Sequence, residues 1–244
     1  MKFLLLMLFC SNLVMANERP VNKVKYKTYF GNCPIRVVGQ LTLKLVKTFE
    51  ENQSLKDVKD YIIKGNLTEK YYISNYEINY EPLTKFLKFQ YSCPLPMARV
   101  QLYKSEGNES YSAILVENGQ FYDSIYEQLM IAENKIEQDL PSLALPVEEI
   151  DKELKEELVR FIKQISPNLK KLVSEYIVTE KHELMLILSS SNQPTTVFLG
   201  SDGWDEKLTK IHKIIDYMSE KKKIPVVINI TNIKKVVVKF SDTI

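Results

Sequence analysis

VFLGSDGWDEKLTKIHKIIDYMSEKKKIPVVINITNIKKVVVKF, residues 197–240, decides how the larger part of this chain folds. An apolar run ends at Gly200, and a polar bend through Gly203 precedes Trp204, Leu208, Ile211, Ile215 and Met218. That spacing puts all five on one side of a helix. Lys221, Lys222 and Lys223 follow, where cations suit the helix dipole. Two β-branched runs, 226–230 and 234–240, then read as strands that close the chain. Trp204, the only tryptophan, is expected to pack this helix on a sheet.

Working toward the amino terminus, 195–199 pairs with the apolar run 184–188 across 189–194, and 172–178 leads into them. The spacing of Ile150, Leu154, Leu158, Phe161, Ile162 and Ile165 predicts a helix over 147–165, with Glu148, Glu149 and Asp151 in its first turn and Ser166-Pro167 as its stop. Residues 138–146, with two prolines, read as irregular. Ala98, Val100 and Leu102 alternate with polar residues, as do Tyr111, Ala113 and Leu115, and Asn118-Gly119 is a tight-turn signal. Cys93-Pro94-Leu95-Pro96 reads as a break between two units.

The first half is shorter. Residues 72–80 and 85–93 form the clearest local pattern, a hairpin with Tyr76, Ile78 and Tyr80 facing Leu87, Phe89 and Tyr91. Ser54 opens a short helix carrying Leu55, Val58, Tyr61 and Ile62, and Gly65-Asn66 ends it. Residues 34–49 read as β, because Leu41, Leu43 and Leu45 recur at period two. Residues 21–30 read as an extended arm. The expected class is α+β: a small α/β unit, then a larger unit of antiparallel sheet packed with two helices.

Composition narrows the chemistry. Lys and Arg number 33 against 31 acidic residues in a chain of 244, so no basic field points to nucleic acid. The 7 glycines show neither GxGxxG nor GxxxxGK[ST] spacing, which speaks against nucleotide enzymes. Two histidines, with no CxxC or HExxH, leave little for a metal site. His182-Glu183 and the acidic loop 202–206 are the polar clusters with catalytic residue types. His182 precedes an apolar strand and His212 sits in a helix whose apolar face is already explained. No catalytic residue, cofactor, metal or small-molecule substrate is therefore expected. Tyr71, Tyr72, Tyr76 and Tyr80 beside Lys70 and Lys85 could stack single-stranded bases, but half-buried strand aromatics explain them.

Residues 1–16 begin with one lysine, run apolar from Phe3 to Phe9 and end in Val14-Met15-Ala16. That is the pattern of a signal peptide or a short anchor, too short for a comfortable span. Export would leave Cys33 and Cys93, an even pair in an oxidising compartment. Either a bridge or two buried free thiols fits that pair.

The order of elements resembles the bacterial cell-division family FtsQ/DivIB, whose extracytoplasmic part is a POTRA domain followed by a β domain. Ile35-Arg36-Val37-Val38-Gly39 looks like the family's first POTRA strand, and 76–102 is similar to the hairpin that leaves that domain. Residues 115–121 look like the turn that follows, Leu140-Pro141-Ser142-Leu143 like the segment before a long helix, and 197–240 like the closing helix and strands. One departure is the lack of a second full helix between Gly65 and Tyr71. With the signal peptide or short anchor at 1–16, itself a departure from the family's membrane helix, and an extended arm at 17–34, the resemblance implies a POTRA-like β-α-β-β domain at 35–96 and a β domain at 97–244. It implies a periplasmic or inner-membrane-attached scaffold of septum assembly, with small bitopic partners of the FtsB and FtsL type. A periplasmic POTRA-containing assembly or chaperone factor, using the 72–80 edge, is the alternative.

In that family the contact is strand addition at the final sheet. The corresponding residues here are Lys234, Lys235, Val236, Val237, Val238, Lys239 and Phe240. A terminal strand can lie at an edge whose open backbone groups accept a partner strand. Lysines on such a strand also guard it against unwanted pairing.

Overall fold

A computed structural model describes residues 23–104, 107–136, 139–147, 150–189, 193–221 and 224–240. The expected signal peptide or anchor at 1–16 lies outside them. Among the described residues the chain divides into two compact units, 23–31 with 35–92, and 32–34 with 93–240.

The first unit runs β1 (Lys25–Tyr29), α1 (Ile35–Asn52), α2 (Leu55–Lys64), α3 (Leu67–Lys70), β2 (Asn75–Glu81) and β3 (Phe86–Ser92). Its sheet has the order β1-β3-β2, with β1 parallel and β2 antiparallel to β3. The stretch expected as an arm is thus partly a strand, hydrogen-bonded along β3. Gly31 turns the chain out of β1 at φ +53, where a Cβ would stand 3.0 Å from the Tyr91 carbonyl oxygen. Only glycine meets both demands without strain.

The β reading of 34–49 is overturned. Those residues form α1, which buries Val38, Leu41, Thr42, Leu45, Val46 and Phe49. The steps of three and one trace a helical face. Leu43, which completed the period-two pattern, is 57% exposed. The Ile35–Gly39 segment is therefore helix, not a first strand. With α1 and α2 both present, the helical layer is also fuller than the sequence suggested. Ser54 caps α2 by accepting from the Asp57 N–H at 3.2 Å. The hairpin stands as expected, with Ile78, Leu87, Phe89 and Tyr91 buried. Burial pushes the Tyr91 phenol up to about 12, although Thr42 Oγ1 lies 3.2 Å from its hydroxyl.

The second unit runs β4 (Pro96–Lys104), β5 (Gly107–Val116), β6 (Phe121–Asp123), α4 (Ile125–Ala132), β7 (Ser142–Pro146), α5 (Lys152–Gln164), α6 (Pro167–Lys170), β8 (Val173–Val178), β9 (Leu184–Leu188), β10 (Thr195–Gly200), α7 (Trp204–Glu220), β11 (Pro225–Asn229) and β12 (Val237–Phe240). All nine strands share one sheet of order β12-β11-β10-β9-β8-β7-β4-β5-β6. It is mixed rather than antiparallel, because β4–β7, β7–β8 and β10–β11 pair in parallel. Parallel neighbours need a crossover, and helices α5 and α6 lie between β7 and β8, as α7 does between β10 and β11. Four helices belong to this unit among the described residues, where two were expected.

Two further expectations change. The segment 138–146 contains β7, which lies between β4 and β8 with Leu143 and Leu145 fully buried. Pro141 precedes this strand and Pro146 ends it, so neither interrupts its interior. Helix α5 begins at Lys152, not 147, because Asp151 is extended and its carboxylate accepts from the Leu154 N–H at 2.6 Å. The core joins Leu154, Leu158, Phe161 and Ile162 of α5 with Trp204, Leu208 and Ile211 of α7 and alternate residues of β4, β5 and β7–β10. Each such side chain contributes roughly 1.5–3 kcal/mol by leaving water. Phe161 meets Trp204 edge to face at 6.0 Å, and the Trp204 indole donates to the Gly200 carbonyl at 2.8 Å. The tryptophan therefore packs the helix on the sheet, as expected.

Candidate partner-binding edge

β12 is formed by the last described residues, and its position is set by the turn before it. Asn229 Oδ1 accepts from the Thr231 N–H at 3.1 Å, and Asn232 Oδ1 accepts from the Lys234 N–H at 2.9 Å. These are Asx turns, which give the backbone an alternative to the ladder. The Lys235 N–H bonds the Asn232 carbonyl at 3.0 Å, and the Lys210 ammonium donates to the Ile233 carbonyl. Lys234, Lys235 and Val236 are consequently outside the strand. The seven-residue strand expected over 234–240 is four residues long.

Val237, Val238, Lys239 and Phe240 are the ones that pair. Val237 lies opposite Asn229, Val238 opposite Ile228, Lys239 opposite Val227 and Phe240 opposite Pro225. Among the described residues β11 is the one strand neighbour of β12. Val238 packs against the core. Val236, Val237 and Phe240 are 39%, 50% and 37% exposed, apolar side chains at the rim of the sheet. A strand with one neighbour turns alternate N–H and C=O groups outward, and these can accept a further strand.

The register carries this edge across the sheet. Ala144 lies opposite Ile177, Ile177 opposite Met185, Met185 opposite Phe198, Phe198 opposite Asn229, and Asn229 opposite Val237. Cross-strand partners point to the same face, so one row runs from β7 to β12 and is apolar except at Asn229. Its members before Val237 are half-buried, on the face opposite the one that packs α5 and α7. A strand added beside β12 would extend this row.

Other candidate residues fall elsewhere. Cys33 and Cys93 are joined by a disulfide with Cα atoms 4.9 Å apart, both side chains fully buried, so neither is a thiol nucleophile. Asn32 brackets the bridge: its carboxamide oxygen accepts from the Cys93 N–H at 3.1 Å while its Nδ2 donates to the Cys93 carbonyl. His212 Nε2 faces the Ser166 N–H at 3.4 Å. His182, at φ +56, lies beside Asp151, Glu153 and Glu157 around a small cavity of about 210 Å³. Burial holds the Glu157 carboxyl above its ordinary range. In the 202–206 loop, Asp202 is bound by the buried Lys207 ammonium, which donates to its carboxylate at 2.7 Å, to its carbonyl at 2.6 Å and to the Leu199 carbonyl at 2.8 Å. That cation holds its carboxyl below the ordinary range. No group of three metal-ligating side chains occurs among the described residues.

The tyrosines expected on the first hairpin pack rather than form a platform. Tyr71 is buried and its hydroxyl accepts from Lys44 at 2.9 Å, while Tyr80 lies 4.6 Å from the Phe49 ring. β2 is also an edge strand, but its outward residues are Asn75, Glu77, Asn79 and Glu81. A different constellation escaped the sequence. Arg99 on β4 donates through Nε to both Glu127 oxygens at 2.9 Å, and its second guanidinium arm reaches Asp139 at 3.3 Å. Arg99 and Glu127 are 28 positions apart, so no local spacing joins them. No family model matches the chain, and no curated protein matches it either.

Proposed function

We propose that this chain is a non-catalytic scaffold, acting outside the cytosol, that holds other proteins by strand addition at β12. The observation that carries it is the position of β12: the end of a nine-stranded sheet, one strand neighbour among the described residues, and exposed valines beside a solvated ladder. The Cys33–Cys93 bridge supports an oxidising compartment. The first unit, with a strand, a helical layer and a hairpin, supports the POTRA-like reading. On the resemblance carried by stretches between residues 76 and 240, the process served is bacterial septum assembly, and the partners are small bitopic proteins of the FtsB and FtsL type near the inner membrane. The apolar row from Ala144 to Val237 adds a demand on the partner. Its residue opposite Val237 should be apolar.

The test uses two proline variants, Val237→Pro and Val238→Pro. Consecutive strand residues direct their N–H groups to opposite sides, so one variant loses a bond to β11 and the other loses a donor offered outward. The outward variant should fold as the parent does and lose binding to the extracytoplasmic segments of such partners. Unchanged affinity in both folded variants would show the edge to be idle. If binding is instead abolished by Asn79→Pro on β2, the assembly-factor alternative takes its place.

A further inference from the structure

Away from β12, the second unit carries a half-open groove of about 690 Å³ between the start of β4, the segment 139–141, and the α5–α6–β8 stretch. Its volume is that of a small-ligand site. The floor is apolar, with Met97, Ile165 and Val173 all nearly inaccessible to solvent, and Leu95 stands on the wall at 42% exposed. The rim is cationic, with Lys163 from the last turn of α5, Lys170 from the end of α6, and Lys171 just beyond it.

Among the described lining residues, the acidic Glu117 and Asp139 face four lysines, Lys135, Lys163, Lys170 and Lys171, which leaves the lining net cationic. Asp139 is engaged by Arg99 at 3.3 Å, and Glu117 Oε1 accepts from the Leu95 N–H at 3.2 Å. Lys163, Lys170 and Lys171 make no ion pair with any described residue. These three lysines line the groove beside its apolar floor, and a multivalent anion would be attracted to them. Cations at helix carboxyl ends also offset the dipole, but that role does not require an apolar trough between them.

We propose that this groove binds a phosphate monoester bearing a single alkyl or acyl chain. The phosphate would sit among Lys163, Lys170 and Lys171, and the chain would lie over Met97, Ile165 and Val173. A phosphate monoester carries close to two negative charges at neutral pH and offers several acceptor oxygens. Lysine ammonium groups bind such a group as point charges. A carboxylate has half that charge and engages fewer of the three.

The experiment titrates the full chain by calorimetry with dodecyl phosphate below its micelle concentration. Dodecanoate, dodecyltrimethylammonium and inorganic phosphate serve as the other arms. Saturable one-to-one binding of dodecyl phosphate is expected, tighter than that of dodecanoate, and no binding of the ammonium compound. Lys163→Glu and Lys171→Glu, both at exposed positions, should each weaken it about tenfold, the worth of one charge-assisted contact. Leu95→Ser should weaken it by a smaller factor. The proposal fails if dodecyl phosphate does not bind, if the ammonium compound or dodecanoate binds as well, or if inorganic phosphate alone binds equally tightly. It fails too if the charge-reversed variants, folded by circular dichroism, bind unchanged.

Discussion

The two ends of the nine-stranded sheet are built in opposite ways. At one end β6 is only three residues long and runs straight into α4. Tyr122 and Tyr126 meet edge to face at 5.1 Å and are both buried, and the Tyr126 hydroxyl donates to the Pro94 carbonyl at 2.7 Å. Glu127 of the same helix is clamped by Arg99, and Pro94 is bonded to Cys93 of the disulfide. At the other end β12 has an exposed valine, Val237, three nearby lysines and no covering helix among the described residues. An edge that is only a hazard can be hidden under side chains, as at β6. The other end is guarded by charge alone, which leaves its backbone groups reachable by a partner strand that tolerates the lysines.

Breaking the closed end should cost far more than altering the open one. The largest effect is expected from replacing Cys33 and Cys93 together by alanine. The bridge spans a sequence separation of 60, and its loss should remove about 4 kcal/mol in the chain-entropy model, read as a lower urea midpoint. Arg99→Ala should come next. It leaves the buried Glu127 carboxylate without its cation, and because Arg99 is itself 40% exposed the loss should be about 2 kcal/mol, below that of a fully buried pair. Tyr126→Phe deletes one buried hydrogen bond and should lower stability by about 1 kcal/mol. Val237→Ser at the open end should change stability by less than about 0.5 kcal/mol, read from the urea midpoint, while weakening partner binding. A large loss of stability from Val237→Ser would erase the contrast between the two ends.

Legibility in the sequence followed how local each signal was. The hairpin 75–92, the capped helix after Ser54, and the strand–helix–strand order of 195–229 rest on neighbours in sequence, and all were readable. Helix α1 was not, because Leu41, Leu43 and Leu45 match a strand as well as Val38, Leu41, Leu45 and Phe49 match a helix. Tertiary burial, which leaves Leu43 in water, breaks that tie. β7 was hidden by the prolines at 141 and 146, although a strand buried on both sides can be short and end at proline. β1 went unread because Lys25 and Lys27 face solvent, and its pairing comes from β3, some 60 residues away. The true length of β12 could not be read, because Asn229 and Asn232 shorten it through side-chain bonds. The lysine-rimmed groove joins residues from Leu95 to Val173, a convergence that only the folded sheet creates.

The bridge between Cys33 and Cys93 also has a mechanical side. A protein held at one end and pulled at the other transmits load along its shortest covalent path. Here that path crosses from residue 33 to residue 93 through sulfur, so α1, α2, α3, β2 and β3 hang beside the line of tension, and β1 alone of that unit lies on it. With the bond intact, stretching should draw out the second unit while residues 34–92 stay hidden. Reduction would release that reserve, about 200 Å of additional contour length.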